Sequence, residues 1–329
     1  MTRLKRIGMA AALVAAALSA GPSLHAEDIA VDHRWGRTVL TKPAERIVTL
    51  SYTGIDTLLA LGITPIAYRT WYGGDERGLW PWAAAHSPGG ATGLPLKGEI
   101  DPEAVARLTP DLVEASYSGI SRAQYAALSH VTAVLPPPEG RGDFGTPWDE
   151  MLRIVGKATG RGARAQNVIE AIESRIDAVR RAHPDWQGKT AVVARLDGPL
   201  IFSEMDPRMK LISRLGFQLP DTANALALNN FYFKLDRELT EPLDADVVIW
   251  LDFAADRGNL DSHPLRHTLR AFREGREIFL GPGVSAALNY ASALSIPYAL
   301  DRLVPMLEAA LDGDPATVVP DARKGGPDS

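Results

Sequence analysis

The chain has 329 residues, a net charge of −5, 46% hydrophobic residues and no cysteine. Its length suits about two domains with conventional hydrophobic cores, and the lack of cysteine excludes disulfides, thiolate metal sites and lipid attachment through a thiol. No cluster of Lys and Arg is present to grip phosphates, which excludes nucleic acid as a partner.

Arg3, Lys5 and Arg6 precede an apolar run from Ile7 to Leu18, then small residues up to Ala26 and the acidic pair Glu27-Asp28. This is the order of a secretory signal peptide, and the apolar run is shorter than the ~18 residues an anchor needs. Processing after Ala26, or alternatively after Ala20, releases a product expected free in the periplasm. Three basic and no acidic side chains lie in residues 1–26, so the remainder carries about −8.

Short apolar runs follow at Ile47–Leu50, Pro65–Tyr68 and Leu112–Ala115, then at Ala191–Ala194, Val247–Trp250 and Glu277–Leu280. Between them, Ile55–Leu61, Pro102–Leu108 and Leu265–Phe272 have helical spacing. Strands alternating with helices predict an α/β fold with mainly parallel sheets covered on both faces. In the centre, Thr146-Pro147-Trp148-Asp149 has the form of a helix start, with Thr146 as the hydroxyl cap. The pattern stutters at Gly156, Gly160 and Gly162. Ala163 to His183 then contains no Gly or Pro, sets Val168, Ile172, Ile176 and Val179 at helical spacing, and stops at Pro184. A helix of that length reaches about 30 Å and would join two lobes stiffly. The expected division is a signal peptide at 1–26, a first α/β lobe at 27–145 and linker helices at 146–184. A second α/β lobe at 185–312 and a disordered tail at 313–329, rich in Asp, Pro and Gly, complete it.

The halves echo each other. Glu103 stands eight residues before Asp111, and Glu238 eight before Asp246, each in the order acid, short helix, turn with Asp, buried strand. Matching spacing and context point to two related lobes.

Enzyme signatures are weak. Gly160–Ala165 fits G-x-G-x-x-A, but it follows a helical stretch where the dinucleotide fingerprint requires a strand. Neither a G-x-S-x-G elbow nor H-E-x-x-H occurs. His263 and His267 are four apart with Pro264 between them, which suits a solvated helix start; zinc would need clustered histidines. No catalytic residue, metal site or cofactor is assigned, and the chain is taken as a carrier and not an enzyme. A secreted α/β enzyme with an unrecognised site is the rival from another class.

In these same segments the chain resembles the periplasmic iron–siderophore and cobalamin binding proteins of ABC importers. Pro43–Leu50 running on to Leu58–Ile63 is similar to the family's first strand and helix. Gly93–Val113 is similar to its stretch ending in Leu-x-x-Pro-Asp-Leu-Ile, the central helix to its linker, and Leu243–Ile249 with His263–Leu269 to its later landmarks. The similarity covers about residues 32–310. It implies two Rossmann-like lobes with mainly parallel sheets, joined by one long rigid α-helix, with modest lobe movement. It further implies a ferric siderophore as ligand in the cleft between them, haem or cobalamin being the alternatives. A monomer and an ABC permease partner are implied too, with one exposed acid per lobe, Glu103 and Glu238, docking on basic permease residues. A first-turn acid is also explained by the helix dipole alone.

Ligands of open α/β sheets sit beyond the carboxyl ends of the strands. That rule selects Arg69, Trp71 and Tyr72, with Trp80 and Trp82 on the same loop, then Tyr117, Arg195 and Asp197. It also selects Tyr232 within Asn229–Phe233, and Asn289 and Tyr290 after the last strand. Trp and Tyr offer broad rigid faces with a hydrogen-bonding tip. Arg supplies a planar fork for hydroxamate, catecholate or carboxylate oxygens. Trp80 and Trp82 are equally explained by packing under a long loop. Resemblance to the hydroxamate-type relatives places Tyr117 and Tyr232 against the ligand, Tyr232 standing where Trp is common. Those relatives often carry an arginine soon after Gly-Leu, whereas Pro95, Leu96 and Lys97 follow Gly93-Leu94 here. Arg69, Lys97 and Arg195 are the candidates to replace it.

Overall fold

The computed structural model describes residues 28–88, 93–195, 200–236, 238–251 and 265–320. The signal-peptide segment, Asp197, His263 and the end of the tail lie outside the described residues. A hairpin of β1 (Ile29–His33) and β2 (Gly36–Leu40) comes first, its tight turn needing Gly36 at φ 130°. The first lobe follows as β3 (Ile47–Thr49), α1 (Gly54–Ala60), β4 (Ala67–Arg69), α2 (Pro81–Ala84) and β5 (Leu94–Leu96). It continues with α3 (Pro102–Arg107), β6 (Leu112–Glu114), α4 (Arg122–Ser129) and β7 (Ala133–Leu135). The sheet is wholly parallel in the order β5-β4-β3-β6-β7. Its connections reverse direction between β3 and β6, which opens a crevice at the carboxyl ends of those two strands.

Two helices lead out of this lobe. α5 (Trp148–Ala158) buries Met151, Leu152 and Val155 and packs on α1 and β1. Its start differs from expectation: Pro147 is the cap residue, and the Thr146 hydroxyl instead donates to the Ser116 carbonyl at 2.8 Å. α6 (Gly162–Ala182) then runs unbroken for 21 residues. Its buried stripe is Ala165, Ile169, Ile172 and Ile176, with Val168 and Val179 only half-buried at its margins. The two helices approach closely, because a Cβ at Gly156 would lie 2.7 Å from that of Ala165. Polar contacts tie α6 to both lobes: near its start Arg164 donates to the Ala60 carbonyl of the first lobe at 2.8 Å, and at its middle Glu173 pairs with Arg214 of the second.

The second lobe comprises β8 (Ala191–Arg195), β9 (Leu200–Phe202), α7 (Pro207–Arg214), α8 (Asp221–Ala227), β10 (Tyr232–Lys234), β11 (Val247–Leu251) and β12 (Glu277–Leu280). Helices Pro282–Tyr290 and Ser295–Ala310 follow. Sheet order is β10-β9-β8-β11-β12, parallel from β8 to β12 and antiparallel through β9 and β10. Each of the six apolar runs named from the sequence contributes to a strand, β4 beginning only at Ala67 within Pro65–Tyr68, and the fold is the expected pair of α/β lobes. Leu265–Phe272 is not one helix. A 3-10 turn at Arg266–Thr268 gives way to an extended Leu269, and a new helical turn starts where Asp244 accepts from the Arg270 amide at 2.9 Å.

The sequence echo has a structural counterpart in its two aspartates. Asp111, just before β6, accepts from the Glu45 and Arg46 amides ahead of β3 at 2.9 and 2.8 Å. Asp246, just before β11, accepts from the Thr190 amide ahead of β8 at 2.8 Å. Each aspartate clamps the start of the strand its own strand pairs with. The acids differ more: Glu103 is in the first turn of α3, but Glu238 lies in a turn ahead of a 3-10 helix that begins at Glu241. Over the described residues 312–320 the chain differs from the disordered tail expected from 313. Asp312 and Asp314 accept amide hydrogens in successive turns, and Val319 packs on the core.

Candidate binding cleft

The crevice between β3 and β6 is organised by a carboxylate. Glu114 ends β6 fully buried and accepts from Thr49 Oγ1 at 2.6 Å, Ser51 Oγ at 2.8 Å, the Ser116 amide at 2.8 Å and the Ser116 hydroxyl. Ser51 Oγ in turn accepts from the Tyr117 amide at 2.8 Å, and the Tyr52 amide donates to the Tyr117 carbonyl at 3.1 Å. The loops after β3 and β6 are therefore one unit. From them hang the rings of Tyr52 and Tyr117, each within 6 Å of Phe144.

Aromatic contacts extend this surface. Tyr52 lies 5.1 Å from Trp71, Trp71 lies 5.0 Å from Tyr72, and both Trp71 and Tyr72 meet Tyr290 at 5.2 and 5.8 Å. Arg69 ends β4 with its guanidinium 4.2 Å from the Tyr52 ring, donating to the carbonyls of Ser118 at 2.9 Å and Gly98 at 3.2 Å. Those bonds tie the fork to the loops after β5 and β6. Exposed Lys97 borders two hollows: one of about 120 Å³ shared with Arg69 and Ile100, and one of about 300 Å³ shared with Trp71 and Tyr72.

Facing this wall is the start of α7 in the second lobe. Asp206 caps the helix and binds Arg208 through two carboxylate contacts, Nε at 2.8 Å and Nη2 at 3.1 Å. The guanidinium lies 3.8 Å from the Phe202 ring and also donates to Asn289 Oδ1, whose amide group donates to Tyr72 Oη across the lobes at 2.8 Å. Burial pushes the Asp206 carboxyl up and the Arg208 guanidinium down, each partly offset by the other's charge. Burial raises Tyr117 as well, with Arg208 pulling against it, which places that ring within electrostatic reach of the pair. Half-buried Arg195, at the carboxyl end of β8, also acts on the charge of Arg208.

The structure thus brings together Arg69, Trp71, Tyr72, Tyr117, Asn289 and the neighbourhood of Arg195. Three predicted residues sit differently. Tyr290 is 6% exposed and donates to the Tyr72 carbonyl at 3.4 Å, so it supports the wall from inside. Trp80 stacks on buried Trp82 at 5.4 Å and donates to the same carbonyl at 3.0 Å, a second layer beneath Tyr72. Tyr232, 54% exposed, is on edge strand β10 and touches Phe202 at 6.5 Å, one ring away from Arg208. Sequence patterning missed Tyr52, Phe144, Arg208 and Glu114. Tyr52 follows a strand and was within reach of the rule used for its neighbours; Arg208 lies in an ordinary amphipathic helix and gave no signal.

Glu103 is 89% exposed at the side chain and lies 4.0 Å from Arg107. Asp101 does the capping of α3, accepting from the Glu103 amide at 2.9 Å. Capping therefore does not account for the Glu103 carboxylate. Glu238 is likewise exposed.

Beneath the cleft the lobes meet at buried Asp56 of α1. It accepts from Trp82 Nε1 at 2.8 Å and from the Ser292 hydroxyl of the second lobe, and burial raises its pKa to about 6.

Two α/β lobes joined through one long helix, with an aromatic cleft between them at their strand ends, define the binding-protein class. A family model described as a periplasmic binding protein matches residues 47–282, and the chain belongs to that family. It is 27% identical over 222 residues to the probable siderophore-binding lipoprotein YfiY of Bacillus subtilis (strain 168); the match spans 64% of this chain and 65% of that protein. The crystal structure of a periplasmic solute binding protein from Mycobacterium smegmatis superposes with a TM-score of 0.75 at 30% identity, covering 86% of this chain and 99% of that one. Streptococcus pneumoniae PiaA in complex with ferrichrome shares the fold, with a TM-score of 0.71 at 24% identity over 87% of this chain and 99% of its own.

Proposed function

We propose that this chain captures a ferric siderophore in the cleft between its lobes and hands it to an ABC import permease, performing no chemistry on it. The observation that supports this most is the continuous aromatic wall of Tyr52, Trp71, Tyr72 and Tyr117 facing Arg208 across the strand ends. Broad rings cover the apolar skeleton of a large chelate at low entropy cost, and guanidinium groups meet its oxygens. The names of the B. subtilis relative and of the ferrichrome complex agree with that cargo. Exposed Glu103 and Glu238 are the contacts we assign to the permease. The protein is a monomer free in the periplasm in this account: none of the 329 residues is a cysteine, so none can carry a thioether-linked lipid. Tryptophan quenching titrations with ferrichrome, ferrioxamine B, ferric citrate, a ferric tris-catecholate, haem and cobalamin test the cargo. Saturable one-to-one quenching by a ferric chelate, with the chelate recovered unchanged, is expected. Preferential quenching by haem or cobalamin, or conversion of the chelate to a product, contradicts it.

A further inference from the structure

We propose that Glu114 is the positioning residue of this cleft: through the Ser51 hydroxyl it fixes the backbone at Tyr117, so that the Tyr52 and Tyr117 rings meet the cargo in one arrangement. The inference rests on the cleft being the cargo site.

Glu114 is an odd end to a strand whose other residues are Leu112 and Val113. A carboxylate with no exposure is expensive unless its lone pairs are met by donors. Here three hydroxyls and one amide meet them, all from residues of the two crevice loops or the strand leading into them. The space is shaped for it too. Gly54 opens α1 so close by that a Cβ there would lie 1.8 Å from Thr49 Oγ1 and 2.7 Å from Glu114 Oε2. The carboxylate is not what joins β3 to β6. Those strands pair through their backbones, and the Leu50 amide reaches the Glu114 carbonyl at 2.7 Å. What the side chain adds lies beyond the sheet: it orients Ser51, whose oxygen receives the Tyr117 amide, and it holds Ser116, whose carbonyl receives Thr146 beside Phe144. Remove it and the sheet keeps its ladder, while the loops bearing the rings lose their common anchor.

A double-mutant cycle on the full chain tests this, with the tightest-binding chelate of the panel above as probe. Glu114→Ala and Ser51→Ala should each weaken binding about 10-fold or more. The double variant should be no weaker than the worse single one, since both cut the same link. Glu114→Gln should return to within about threefold of the wild type, because an amide can accept from the serines and donate to Thr49. A second readout needs no cargo. In protein labelled with fluorotyrosine, the ¹⁹F resonances of Tyr52 and Tyr117, assigned with Tyr→Phe variants, should broaden or split in both alanine variants and be restored in Glu114→Gln. Additive losses, or alanine variants with unchanged affinity and unchanged ¹⁹F lines, overturn the proposal. Should the wild type bind no chelate, the cargo reading fails, and the ¹⁹F lines alone decide the role of Glu114. If Glu114→Ala does not fold, Ser51→Ala, which deletes one oxygen, carries the same test.

Discussion

The wall contributed by the first lobe is aromatic and is held from below by hydroxyl groups gathered on Glu114. The wall contributed by the second is an ion pair, Arg208 with Asp206, laid on Phe202 and tied to Asn289. The rings of the first wall are large, partly buried surfaces whose worth lies in contact area. The second wall is nearly dry: the Asp206 and Arg208 side chains are 3% and 14% exposed, and each depends on the other. One wall should therefore respond to mutation in cargo affinity with little change in stability. The other should respond in both.

The largest expected effect tests that asymmetry. Arg208→Met leaves the Asp206 carboxylate buried without its cation, which costs about 3–5 kcal/mol for a pair of this kind. Urea unfolding should register the loss, and chelate binding should fall with it. Next comes the join between the lobes. Asp56 titrates near 6 in the folded protein against 3.8 for a free aspartate, so the folded state holds its proton more tightly. The sign is opposite to that of a salt-bridged carboxylate. Its ionisation costs stability on the order of 3 kcal/mol above pH 7, and the cost is relieved as pH falls through 6 toward 4. Asp56→Asn keeps an acceptor for Trp82 and Ser292, so its stability advantage over wild type should be greatest near pH 8 and shrink below pH 6 in unfolding curves.

On the aromatic wall, Trp71→Ala or Tyr117→Ala should weaken chelate binding by about 2 kcal/mol, roughly 30-fold, as expected for central aromatic contacts. Tyr232→Ala should cost far less, since its ring lies outside that cluster, and a fluorescence titration orders the three. The smallest effect on cargo is expected from Glu103→Gln and Glu238→Gln, which should leave chelate affinity unmoved and slow uptake into vesicles carrying the permease.

The contrast between the walls also explains what was legible in sequence. Strand ends announce themselves through apolar runs such as Ile47–Leu50 and Val247–Trp250, so residues just past them, Arg69 and Tyr117 among them, could be named from order alone. Tyr290 was selected by the same rule that found Tyr117, but it lies at the end of a helix that turns its ring inward. Arg208 and Asp206 look like any capped helix start; only the folded arrangement sets Arg208 between Phe202, Asn289 and two tyrosines. Glu114 passed for the polar end of a strand because its partners, Thr49 and Ser51, are more than sixty residues away.

Crystals soaked with the best-quenching ferric chelate and measured at the iron edge test the central claim most directly. The account predicts one strong anomalous peak between the lobes, flanked by Trp71 and Tyr117 on one side and Arg208 on the other. Iron found on an outer face of either lobe, with the cleft empty, would contradict it.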